Sequence, residues 1–244
     1  MLVAGPVFAF EPEDSIATDR PDVVESSAVV GKGRFQLEAS VAGERFDHDG
    51  VREVTHSTPT LLRFGLTDAT ELRFETDGRM NSGAAGRGYS DWSVGVKWHF
   101  ADAAGSRPSM ALLAHADVDS GSPAYRGSGV RPSLRLSAEW ELADDWSFGV
   151  MPGVLLDRRE DGGRFASGIF AVTLGKEIND RLRGFVELAA PSIASARNGG
   201  TNAAFDFGAA WLLTNNAQLD MAFSRGLNHT TPKLGWTAGL SIKF

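Results

Sequence analysis

The feature that most constrains this chain is a period of two. Over residues 234–244 apolar side chains fall at Trp236, Ala238, Leu240, Ile242 and Phe244, with Gly235, Thr237, Gly239, Ser241 and Lys243 between them. Such alternation sends one set of side chains to each face of a β-strand. The pattern recurs along the chain: Phe35, Leu37, Ala39 and Val41 alternate with Gln36, Glu38 and Ser40, and Trp92, Val94, Val96, Trp98 and Phe100 with Ser93, Lys97 and His99. Counting such segments predicts about twelve strands.

The second face is the informative one. Glu71, Arg73, Glu75 and Asp77 stand in a row opposite Leu72 and Phe74. A face so densely charged cannot lie in a dry core. Short turns at Leu66-Thr67-Asp68, Leu142-Ala143-Asp144, Ile178-Asn179-Asp180 and Leu213-Thr214-Asn215 join some strands, and longer polar connections near 77–88, 119–129, 157–164, 191–201 and 226–233 join the others. Short turns at one end and long loops at the other describe an antiparallel transmembrane β-barrel. An even strand count then predicts periplasmic termini. Trp92, Trp98, Phe100, Trp140, Trp146, Trp211, Trp236 and Phe244 lie near strand ends on the apolar face, as interfacial girdles would. A soluble sandwich or lipocalin-like barrel is the competing all-β fold, but it would need a second sheet to cover so many hairpins.

Composition alone would pass for a soluble domain, with 42% hydrophobic and 23% charged residues in 244. No apolar run approaches the ~18 residues a spanning helix needs, which says nothing against strands. The absence of Cys excludes thiolate chemistry and disulfides. A net charge of −7 argues against nucleic acid as a partner. Residues 1–10 read as the remnant of an export signal, residues 11–32 as a periplasmic or luminal lead-in, and residues 33–244 as the barrel.

Thr18-Asp19-Arg20-Pro21-Asp22 followed by Glu25-Ser26, then Gly33-Arg34-Phe35-Gln36-Leu37-Glu38, Leu61-Leu62-Arg63-Phe64-Gly65-Leu66-Thr67-Asp68 and Glu71-Leu72-Arg73, carry a resemblance. Together they resemble the outer-membrane transporter family named for the meta-pathway of phenol degradation. The resemblance implies an outer-membrane barrel that transports small solutes, aromatic compounds among them. The carboxy-terminal Phe244 likewise resembles the signal through which outer-membrane proteins meet the barrel assembly machinery.

Period-two parity selects the candidate lumen lining: Glu38, Arg63, Glu71, Arg73, Glu75, Lys97, His115, Asp117, Arg131, Arg135, Glu139 and Glu187. Asp19, Arg20 and Asp22 form a polar strip before the first strand. The expectation is that this strip folds back into the periplasmic mouth and finds partners among Glu71, Glu75, Arg73 and Arg135. His56 and Ser57 are adjacent and would point to opposite faces, so they do not make the Ser-His pair of a barrel acyl-hydrolase. His115, Asp117 and Asp119 share a face and could hold a metal, though such a row is more often a wet charged wall. No phosphate-binding or zinc motif occurs, and no cofactor is expected. The reading is a passive channel or transporter for small solutes in an outer membrane, contacting lipid and the assembly machinery. The alternatives are a closed structural barrel with binding loops and, third, an acyl-hydrolase.

Overall fold

A computed structural model describes residues 15–48, 51–143, 145–159 and 161–244. The export-signal remnant expected at 1–10, and Asp144 of the second short turn, lie outside the described residues. Fifteen strands follow one another: β1 (Phe35–His48), β2 (Val51–Ser57), β3 (Thr60–Thr67), β4 (Thr70–Thr76), β5 (Arg79–Ser82), β6 (Gly86–Tyr89), β7 (Trp92–Ala101), β8 (Ser109–Val118), β9 (Arg131–Glu141), β10 (Trp146–Arg158), β11 (Arg164–Asn179), β12 (Leu182–Ile193), β13 (Asn202–Thr214), β14 (Ala217–Gly226) and β15 (Leu234–Lys243). All pair antiparallel in one sheet, and β15 pairs with β1 over the register Gln36↔Lys243 to Arg45↔Leu234, which closes the sheet into a barrel.

Three barrel strands are interrupted. β2 and β3 both pair with β1 in one unbroken register, separated only at Thr58 and Pro59, where proline has no N–H to give the ladder. β4 continues as β5 after Asp77 and Gly78, the glycine at φ +68°. β6 continues as β7 after Ser90 and Asp91. Fifteen strands with three such joins make a twelve-stranded barrel. The stretch 77–88, expected as a plain loop, is therefore largely a β5–β6 hairpin that prolongs the wall.

The distribution of side chains is inverted relative to a soluble domain. Fully buried inside are Arg63, Arg73, Lys97, Gln36, Glu38, Glu71 and Glu187, whereas Phe64, Val96, Phe170, Leu188, Phe207 and Trp236 are exposed on the outer face. Only a bilayer makes such an exterior stable, and a closed barrel leaves no edge N–H or C=O unpaired within it. No helix among the described residues is long and apolar enough to cross a membrane. The fold is an outer-membrane-type barrel.

Candidate functional site

Residues 15–33 run inside the barrel. The segment starts at the short-turn end, where the Ile16 N–H donates to the Asn215 carbonyl and Lys243 Nζ to the Ser15 carbonyl. It climbs to the level of Glu187, which accepts the N–H groups of Val23 and Val24 at 2.8 Å each. It then returns, with Ser27 N–H donating to Glu139 and Val30 N–H to Glu71 Oε2, and joins β1. An extended segment leaves its backbone N–H groups without partners of its own, and here inward carboxylates accept those of Asp19, Val23, Val24, Ser27 and Val30. The Arg20–Pro21 peptide is cis.

Recesses in the wall receive the segment. A Cβ at Gly65 would run into the Gly31 carbonyl, one at Gly239 would lie 2.9 Å from Arg20 Nε, and one at Gly149 would lie 3.0 Å from Val24 Cγ1. Val24 packs with Met151, Ala171 and Ala189 in the small apolar patch of the interior. The absence of a side chain at these glycines is what allows the close approach.

Charge decides the fit. Ion pairs connect Arg63, Arg73 and Lys97, three cations of the wall, with Glu38 and Glu71, two carboxylates of the wall, and Arg135 stands beside them as a fourth cation. Asp19 and Glu25 of the lead-in complete the balance. Asp19 pairs with Arg73, with Lys97 Nζ at 2.7 Å and with Arg63 at 3.5 Å, and Glu25 bridges Arg73 and Arg135 at 2.6 Å each. Burial alone would raise both carboxyls. Arg63, Lys97 and Arg73 outweigh it at Asp19 and hold that group well below the usual carboxylate range, while Arg73 and Arg135 hold Glu25 at about 2.

Of the partners expected for the strip, only Arg73 meets it directly, through Asp19. Arg20 instead reaches the opposite wall, donating to Asp220 Oδ1 at 3.2 Å and Thr237 Oγ1 at 2.6 Å, and Asp22 pairs with Arg183 at 2.7 Å. The strip therefore spans the lumen between a basic wall on β3, β4, β7 and β9 and an acidic one carrying Glu187, Asp206 and Asp220. Arg135 and Glu71 serve the lead-in through Glu25 and Val30, and Glu75 stays apart, 3.7 Å from His115 Nδ1.

The other expected residues also face the interior. Asp117 and Arg131 pair at 3.6 Å near the loop end, where Arg131 also holds Asp91 at 2.8 Å. His115 is buried beside Ser93. Parity alone did not single out Glu25, Gln36, Asp206 or Asp220. The first lies outside the strands; the others do follow the alternation, Gln36 beside Glu38, and Asp206 and Asp220 next to small residues of the same face. Among the described residues no three His, Cys, Asp or Glu side chains stand close enough to hold a metal. His56 faces outward opposite Gly43, and Ser57 inward opposite Ala42. Above the lead-in lies a cavity of about 210 Å³ bounded by Arg20, Glu75, Asp77 and Arg135, among others.

The fold has solved counterparts. The COG4313 outer membrane channel from Pseudomonas putida F1 is similar at TM-score 0.66 and 13% identity, over 90% of this chain and 98% of that one. The NanC porin is similar at TM-score 0.59 and 12% identity, over 85% and 100% of the two chains. The KdgM porin in complex with oligogalacturonate is similar at TM-score 0.58 and 10% identity, over 86% and 99%. At such identities the likeness is one of fold. No curated protein sequence matches the chain. The family described as "Putative MetA-pathway of phenol degradation" matches residues 18–244, from the luminal Thr18-Asp19-Arg20 strip to the last residue of the closing strand, and the chain belongs to that family.

Proposed function

We propose that this protein is a passive channel for small solutes in a bacterial outer membrane, with its short turns and both ends of the barrel chain in the periplasm, and that residues 15–33 narrow its pore. The observation that carries the reading is the charge balance. On the basic wall, ion pairs join Arg63, Arg73 and Lys97 to Glu38 and Glu71, and Asp19 and Glu25 of the lead-in complete the pairing of these cations and of Arg135, so the lead-in acts as a seated plug. Glu38, Arg63, Glu71, Arg73, Glu75, Lys97, His115, Asp117, Arg131, Arg135, Glu139 and Glu187 then line the passage or hold the plug in it. Because these groups are polar, solutes that carry a charge or hydroxyl suit the passage; the aromatic character of the solute rests on family membership alone. Phe244, whose ring lies 6.1 Å from Phe35 at the seam, is proposed as the assembly signal.

Planar-bilayer recording tests the channel. The full chain should show small, steady conductance, and a chain lacking residues 15–26 a larger conductance with weaker ion selectivity. Equal conductance from both would refute the plug. The absence of conductance from either would favour a closed structural barrel, a reading the filled lumen also supports.

A further inference from the structure

At the loop end, the outer face of the barrel is basic. Strand parity fixes which side chains point away from the lumen. On β1, Gln36 and Glu38 are buried inward, so Arg45 and Asp47 lie on the outer face. Arg52 is paired opposite Asp47. His56 on that face is opposite Asn81, which is opposite Arg87, and Arg79 is one step along opposite Tyr89. On the other side of β1, Lys233 Nζ reaches Asp47 at 3.0 Å, and Arg225 extends the outward row of Leu219, Met221 and Phe223. Across β14, β15, β1, β2, β5 and β6 the outer rim thus carries Arg45, Arg52, Arg79, Arg87, Arg225 and Lys233. Among the described residues, Asp47 is the acid on this stretch of rim.

The patch adjoins the apolar belt. Arg45 is opposite Leu234, two residues from Trp236, whose ring covers Gly43, and Arg225 is opposite Phe205. Cations one step above an aromatic girdle lie where lipid headgroups lie. Arginine, with a planar fork of donors, matches phosphate oxygens in pairs. The short-turn end differs: there Lys176 stands outward over the Trp146 ring with Asp145 at 3.9 Å.

We infer that this outward basic patch, with the exposed Arg52, Arg79 and Arg87 among its members, binds the phosphate groups of lipid headgroups in the leaflet at the loop end. For an outer membrane with the orientation proposed above, that lipid is the phosphorylated glycolipid of the outer leaflet. Attraction to anionic headgroups falls off within a Debye length, so the patch must sit at the surface as it does here. Binding would anchor the interrupted strands β2, β5 and β6 laterally, while the pore stays on the other side of the wall.

The test uses the full-length barrel in detergent micelles, where binding is read independently of orientation. Phosphorylated lipid A, or lipid A stripped of its phosphates, is added and bound lipid is counted by native mass spectrometry. The wild-type barrel should retain phosphorylated lipid A, and R52E/R79E/R87E should lose at least tenfold in apparent affinity. The stripped lipid should bind both weakly. A K176E variant, altered at the other end, should behave as wild type, and heat-modifiable gel mobility confirms that each barrel is folded. Equal retention of the two lipids, or equal retention by wild type and the triple variant, would overturn the inference. Displacement of lipid A by equimolar inorganic phosphate would also overturn it, since the site would then take a free anion. If binding holds but the loop end proves to face the periplasm by surface proteolysis, the orientation fails and the lipid site stands.

Discussion

Asp19→Asn isolates the electrostatic part of plug seating, because it removes one charge at nearly constant volume. In the native barrel the Asp19 carboxylate sits among Arg63, Arg73 and Lys97, all essentially buried. Asparagine keeps one acceptor oxygen but turns an NH₂ group toward cations that only donate. Removing one partner of a buried pair typically costs about 3–5 kcal/mol, since the remaining charge stays desolvated. Here the cations can rehydrate only if the segment leaves, so the cost falls on the seated state. At 1.4 kcal/mol per tenfold, the seating equilibrium should weaken by roughly two to three and a half orders of magnitude. Single-channel recording should then show openings toward the level of the chain lacking residues 15–26. The exposed Arg63, Arg73 and Lys97 should shift the reversal potential in a KCl gradient toward chloride. Wild-type conductance in Asp19→Asn, beside a large conductance in the deletion, would show that the segment is held by its backbone contacts to Glu187, Glu139 and Glu71. A shift toward potassium would refute the charge argument outright.

Further tests follow from the same geometry. Leu136→Arg, on the outer face opposite Leu112, should cost about 2–4 kcal/mol near the midplane, and Arg135→Leu less, because Glu25 keeps Arg73; refolding titrations into lipid rank the two. Glu25 is held at about 2 when seated against an ordinary 4.5 when free, so its contribution to seating is complete above about pH 5 and is lost as pH falls from 4.5 toward 2. Conductance should therefore be constant from pH 7 to 5, and a rise within that range would contradict the assignment. Gly239→Leu should fill the recess that admits Arg20 and raise conductance without unfolding the barrel, with heat-modifiable mobility as the control for folding. Phe244→Ala should reduce the yield of folded barrel in cells, measured by the same gel shift.

Much of the architecture was legible from alternation. The parity that put Leu72 and Phe74 against Glu71, Arg73 and Glu75 separates lipid face from lumen along the barrel strands except where a bulge shifts the register, as after Thr76 and Ala189, because each side chain has only two directions to choose from. The interruptions were not: Gly78 fell in a stretch expected as a loop, whereas β5 carries the wall past it, and the break at Pro59 within one strand was not foreseen. The site was legible only in part. Asp19 and Arg73 could be expected to meet, since both are charged and inward. Arg20 with Asp220, 200 residues apart, could not, because their proximity exists only after β15 joins β1. The recesses at Gly65, Gly149 and Gly239 were equally silent, since a strand glycine reads the same whether or not a second chain segment fills its place.

The lead-in is joined to β1 at residue 35, so the plug is a ligand tethered to its own receptor. A tether this short holds a ligand at an effective concentration on the order of millimolar or above. Displacement of residues 15–33 is therefore a unimolecular event, reversible without any partner and independent of how many copies the membrane holds. A free peptide of the same residues would need millimolar supply to reseal a truncated barrel. In the proposed role as a stopper the segment travels with its barrel, and reclosure needs no encounter with another molecule.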